Sequence, residues 1–243
     1  MKRVILAIGI ITMIAAAHYC LGQSTGVITY ETKINMHRRL PPERADMKSM
    51  IPEFRSNKSQ LIFNDNESLY KPIIEDEDEE IHGGGGMVMR MARPYSETYL
   101  DQSTQQVLVK QDFMGKNYLI KDTLKISPWK LGTEVKTIMG YECRQAYYTD
   151  EENNQTITAW YTLSLRPFLG PERFNTLPGT VLAVDINNEE RIIVAKSIDN
   201  RELRKNELKM PHGGQETTRA EFRQIVDEQI KKMGGNGMVI RQN

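Results

Sequence analysis

Cysteine is almost missing from this sequence: Cys20 and Cys143 are the only two among 243 residues. With the first 22 residues removed, Cys143 is the sole thiol and no disulfide can form within the chain. Histidine is equally scarce, with only His18, His37, His82 and His212. No nucleophile elbow, metalloprotease helix or phosphate-binding loop is present, so the common hydrolytic and nucleotide-dependent classes lose their signatures. An excess of one charge is absent too. Thirty-two basic residues balance thirty-two acidic ones, which argues against nucleic acid or an anionic membrane surface as the partner. Long apolar runs are missing apart from residues 4–17, and about 14 residues fall short of the roughly 20 needed to span a bilayer.

That one run follows Met1-Lys2-Arg3, and a charged start before a short apolar stretch is the pattern of a secretory leader. Residues 1–22 are therefore expected to be a signal peptide and residues 23–243 a single β-rich domain, exported to the periplasm or associated with the outer membrane. Loss of Lys2 and Arg3 with the leader brings the net charge to about −2. Cys20 departs from a lipoprotein acceptor, because bulky Tyr19 precedes it where a small residue is required.

What the sequence does contain is period-two alternation with β-branched and aromatic residues, the mark of half-buried strands. Such runs cover residues 26–34, 59–63, 68–71, 97–100, 106–109, 117–120, 133–138, 142–149, 155–161, 181–186 and 191–197. Asn64-Asp65-Asn66 and Asn187-Asn188 stand where left-handed turn geometry would close hairpins. Many short strands joined by tight turns predict a mainly β fold, an antiparallel meander curved into a half-barrel or bowl. Helix is expected only at 41–50 and, more clearly, at about 218–233. There Thr218-Arg219-Ala220-Glu221 spells a capping box, and Phe222, Ile225, Val226 and Ile230 follow at helical spacing.

Residues 75–94 break the pattern. An acidic run, four glycines (Gly83 to Gly86) and Met87-Val88-Met89-Arg90-Met91 predict a mobile loop, since like charges repel and glycine is costly to order. His82, Met87, Met89 and Met91 are the candidate metal ligands, because soft thioethers beside an imidazole suit Cu(I). Copper is accordingly the one cofactor the residues suggest, and a purely solvated loop is the alternative.

Pro128-Trp129, Ile138-Met139-Gly140-Tyr141-Glu142-Cys143, Ala159-Trp160-Tyr161-Thr162 and Thr176-Leu177-Pro178-Gly179-Thr180-Val181 follow one another in the order of the landmarks of the GLPGLI family of exported Bacteroidetes proteins, which the chain resembles. Thr176 replaces the first glycine of the family hexapeptide and Thr180 its second leucine. The resemblance implies an envelope location and no established activity. It also implies a possible partnership with outer-membrane transport systems and kinship to bowl-shaped β domains beside glycan-releasing enzymes.

Read as chemistry, Leu177, Pro178 and Gly179 predict a type II turn in which Gly179 takes a positive φ and leads into the next strand. Trp160 and Tyr161 are neighbours on a strand and must face opposite ways, so one packs inside while the other is available to line a concave surface. Trp129, Trp160, Tyr161, Leu177, Pro178 and Gly179 are thus the candidate ligand or fold motif. The expected function is a non-catalytic envelope binding or accessory protein, with a small ligand or an outer-membrane protein as partner. The alternatives are a copper-binding protein and a glycan-related accessory domain. A nucleophilic role for Cys143 is the enzymatic alternative.

Overall fold

The computed structural model describes residues 25–74, 80–83, 87–90 and 95–232. The expected leader with Cys20, most of the acidic run, Met91 and the tail beyond Lys232 lie outside the described residues. Fourteen strands are described: β1 (Gly26–Asn35), β2 (Phe54–Phe63), β3 (Glu67–Pro72), β4 (Glu80–Gly83), β5 (Met87–Arg90), β6 (Ser96–Asp101), β7 (Gln106–Phe113), β8 (Lys116–Thr123), β9 (Lys130–Ile138), β10 (Tyr141–Asp150), β11 (Gln155–Thr162), β12 (Thr180–Ile186), β13 (Arg191–Asp199) and β14 (Gln215–Thr218). One α-helix, α1 (Arg219–Lys232), follows, and residues 42–49 form a 3₁₀ segment.

Twelve strands make one open sheet in the order β14-β8-β7-β6-β3-β2-β1-β13-β12-β11-β10-β9. The mainly β, antiparallel fold with a C-terminal helix expected from periodicity is what forms. It contains two meanders, one running outward from β1 through β8 and the other running inward from β9 to β13, where it pairs with β1. β1 therefore joins the halves. The exception to antiparallel pairing is β14, which lies parallel to β8.

Sequence chemistry explains the turns. Met114-Gly115 and Met139-Gly140 are two-residue hairpin loops with positive φ at both positions, 49° and 75° in the first, 53° and 81° in the second. Asn187 and Asn188 also take positive φ, as expected. The 64–66 turn closes differently: Asn64 Oδ1 accepts the N–H groups of Asn66 (2.9 Å) and Glu67 (2.7 Å), an Asx turn that needs no left-handed residue. Within 75–94, read from sequence as a loop, β4 and β5 form a separate two-stranded ribbon.

Each face of the sheet is covered in part. The main core is built from Ile28, Tyr30, Leu61, Tyr70, Tyr148, Ile157, Ala159, Val184 and Ile193, and the 163–179 excursion between β11 and β12 lays Leu169, Phe174 and Leu177 over it. Register carries the same face across Tyr70, Thr98, Val109 and Ile120, where Phe222 and Val226 of α1 pack. On the reverse face Leu208 covers Leu69, Tyr99, Leu108 and Leu119. α1 starts with the expected capping box: Thr218 Oγ1 accepts from Glu221 N–H (3.2 Å), and Glu221 Oε2 accepts from Thr218 N–H (2.8 Å). These bonds hold the Glu221 carboxyl below its ordinary range.

Candidate functional site

The six residues singled out as a ligand or fold motif divide sharply. Tyr161 is buried in the main core. Trp129 packs edge-on against Tyr148, with centroids 4.6 Å apart at 87°, and its Nε1–H donates to Thr176 Oγ1 at 3.0 Å. Thr176 thus has a task that a glycine in its place could not perform. Leu177 is buried, Pro178 is exposed and Gly179 is buried.

Gly179 corrects an expectation, because its φ is not positive. A type II turn with left-handed Gly179 is not formed. A Cβ at this position would sit 2.1 Å from the Thr162 carbonyl oxygen, so close approach to β11 is what requires glycine. The excursion is pinned by three further bonds: Phe168 N–H to Leu177 O (3.1 Å), Val181 N–H to Leu169 O (2.8 Å) and Thr180 Oγ1 to Arg166 O (2.6 Å). Leu177, Pro178 and Gly179 build a lid over the core.

Trp160 is half-buried, packed along one side against the main core, and its register places it in a row on the reverse face of the sheet. Register defines two rows across the face of the sheet opposite the main core. One runs Glu31, Val194, Ala183, Trp160 and Gln145. The other runs Lys33, Ile192, Asp185, Thr158, Tyr147 and Lys130. Ala183 apart, every residue in these rows is half-buried or exposed, and Tyr147 is 42% exposed. Lys136 reaches over the Trp160 ring, its Nζ 3.1 Å from the centroid.

Burial pulls the Lys136 ammonium below its ordinary pKa, against the pull of nearby Asp185. Burial raises the Asp185 carboxyl, although it accepts the Glu189 N–H and lies near Lys136 and Arg38. The outcome is a shallow surface with an indole and a phenol, flanked by a carboxylate, an amide, a hydroxyl and an ammonium. Such a surface can stack a flat or weakly apolar ligand and hydrogen-bond its rim.

A family model described as the N-glycanase peptide, N-terminal domain matches residues 55–220. The chain belongs to this family. The match takes in Trp129, Trp160, Tyr161 and the 177–179 segment and ends in the first turn of α1. It begins after β1, so the folded unit extends beyond the matched residues on its N-terminal side. Two solved structures of PNGF-II are similar in fold. The one in space group P21 is 16% identical with a TM-score of 0.56, over 84% of this chain and 34% of that one. The one in space group C2 is 17% identical with a TM-score of 0.53, over 84% and 33%. This chain therefore spans about a third of the length of those structures. No curated protein matches it.

The metal-ligand candidates are placed by backbone register alone. In the β4–β5 ribbon His82 pairs with Val88, while Met89 pairs with Ile81 and Met87 with Gly83. Met91 lies outside the described residues. Among the described residues no group of three or more His, Cys, Asp or Glu is placed to hold a metal ion, and no helix is long and apolar enough to cross a membrane.

Cys143 is fully buried on β10, and its Sγ lies 3.5 Å from the Tyr141 carbonyl oxygen, to which it donates. Burial pushes the thiol up from its ordinary value. The thiol form is therefore expected to persist at neutral pH, and native protein should react with a thiol-specific disulfide reagent only as it unfolds. Rapid labelling of the folded chain would contradict this placement.

Proposed function

We propose that this chain is a non-catalytic, glycan-binding accessory module of the N-glycanase N-terminal domain family, exported to the cell envelope. Family membership over residues 55–220 carries the reading. The open face around Trp160 supports it chemically. A pyranose ring presents a sheet of C–H groups that stacks on an indole, while its hydroxyls pair with groups such as Asp185, Gln145 and Thr158. The leader pattern at the N-terminus supports export. The family's name points to N-linked glycans as the first ligand class to try. This reading matches the glycan-related alternative drawn from the sequence better than partnership with a transport system.

Calorimetric titration with N-glycan oligosaccharides released from glycoprotein tests it. Binding is expected, weakened about tenfold or more by Trp160→Ala, in line with the roughly 1–3 kcal/mol that an aromatic stacking contact contributes. Because Trp160 is half-buried, Asp185→Asn serves as a second variant that leaves the ring in place; it is expected to weaken binding with the unfolding midpoint unchanged. Binding that ignores both substitutions, or no binding to any glycan, would sink the reading.

A further inference from the structure

We propose that β9 is a homodimerisation edge, pairing antiparallel with β9 of a second copy about a two-fold axis at Val135. This rests on the strand's own geometry and sequence and is independent of the glycan reading.

The sheet has two edges, and they differ. β14 is four residues long and runs directly into α1. β9 is nine residues long, contains no proline, has seven of its nine residues exposed, and keeps unbroken register with β10 over residues 135–138 before the ladder shifts between Val135 and Leu131. A long, uncovered edge leaves one row of backbone N–H and C=O groups without ladder partners and is the usual template for strand addition. Leu131 and Val135 on this edge are 67% and 57% exposed, and Met139 in the adjoining turn is 46% exposed. Apolar side chains on an open edge favour cover by another chain.

Charge selects the occupant and the register. Two copies related by an axis perpendicular to the sheet must pair residues whose numbers have an even sum, because the axis keeps each residue on its own face. Centring on Thr133 sets Lys130 against the partner's Lys136. Centring on Glu134 or on Lys136 sets a like charge against itself at the axis. Centring on Thr137 leaves Lys136 opposite Ile138. Centring on Gly132 sets Lys130 opposite the partner's Glu134 but confines the ladder within the strand to residues 130–134, whereas the Val135 register sets Glu134 opposite the partner's Lys136, twice by symmetry, and takes in residues 132–138. It also places Thr133 opposite the partner's Thr137 and Val135 on itself. β-branched and opposite-charge pairs directly across an antiparallel ladder are the favourable ones. Edge charges usually guard against promiscuous pairing, and in the Val135 register they are self-complementary.

Sedimentation velocity of the purified chain over concentrations up to about 100 µM tests the proposal, a range suited to an interface of modest area. A dimer is expected. Glu134→Lys and Lys136→Glu, each of which creates two like-charge pairs, should raise its Kd about tenfold or more. The double variant E134K/K136E should recover the dimer. Lys136→Glu also removes the contact with Trp160, so recovery in the double variant separates the ladder from that local effect.

A second measurement needs no charge change. Under oxidation Val135→Cys should form a covalent dimer, since directly opposed Cα atoms lie within disulfide range. Thr137→Cys should not, because its copies would stand about 13 Å apart along the strands. A monomeric wild-type chain would overturn the proposal, as would a dimer indifferent to both single swaps or one cross-linked equally well at both positions.

Discussion

Gly179→Ala is expected to lower the stability of the fold by about 3 kcal/mol or more, seen as a fall in the urea midpoint with little change in slope. The added methyl would lie 2.1 Å from the Thr162 carbonyl oxygen, 2.8 Å from its carbon and 3.1 Å from Tyr161 Cδ2. A flexible side chain could turn aside, but these neighbours cannot. Thr162 is fully buried and paired with Thr180 in the β11–β12 ladder, and Tyr161 is fixed in the main core. Either β11 shifts and disturbs the core, or the 163–179 excursion lifts and uncovers Leu177 and Phe174.

Gly115→Ala provides the contrast. Gly115 has a φ of 75° and no atom within 4 Å of the added Cβ, so its cost is confined to left-handed backbone strain of about 1 kcal/mol. A Gly179→Ala effect no larger than that of Gly115→Ala would mean that close approach is not what holds glycine at 179.

Local signals in the sequence made most of this fold legible. Alternation in runs such as 142–149 and 155–161 reports which residues share a face, because β pleating has a period of two whatever the partner strand. The Thr218–Glu221 capping box is equally local, and its reciprocal bonds form where the spacing places them. Quantities set by distant parts of the chain were not legible. Nothing within residues 26–34 reveals that β1 pairs with β13, more than 150 residues away, and so joins the two meanders. β14 was missed because Gln215-Glu216-Thr217-Thr218 is polar, short and without alternation; its strand character comes from lying beside β8.

The site divides along the same line. Alternation required Trp160 and Tyr161 to point apart, but only the packed sheet decides that Tyr161 turns inward and Trp160 outward. The need for glycine at 179 was visible, while its reason was not: a turn-type argument considers the glycine's own φ, and the governing contact is with Thr162 on another strand. Thr176 departs from the hexapeptide in sequence, and only the fold brings its hydroxyl to the Trp129 indole N–H, from which it accepts.

The division of the sheet into covered and open areas also locates where recognition can occur. Residues 163–179 and α1 cover the face that holds the main core, and Leu208 covers the reverse face over β3, β6, β7 and β8. The reverse face from β1 across β13, β12, β11 and β10 to β9 is where the Trp160 and Asp185 rows lie. Pairing at β9 would extend that same face across two copies and place two Trp160 surfaces on one continuous sheet. A branched ligand that engages both would gain affinity through effective concentration without any new contact.

Phe222→Ala is expected to cost about 3–5 kcal/mol and to act first on the helix. Phe222 is 1% exposed and makes edge-on contacts with Tyr118 (centroids 5.1 Å, 63°) and Phe113 (5.9 Å, 76°). With Val226 it is one of only two buried residues on α1, so one truncation removes the larger of two anchors. The capping box secures only the first turn and cannot compensate, because it adds nothing to the burial of Val109, Tyr118 and Ile120 beneath the helix. Hydrogen exchange should show α1 losing protection before the strands of the main core, β10 to β13, whose turn it meets through the exposed Arg223–Glu152 contact (3.5 Å). Val226→Ala, which removes fewer atoms, should reproduce the pattern at about 1–2 kcal/mol. If exchange instead accelerates uniformly through both halves of the sheet, helix and sheet unfold as a single unit, and α1 is an integral part of the core rather than a cover docked upon it.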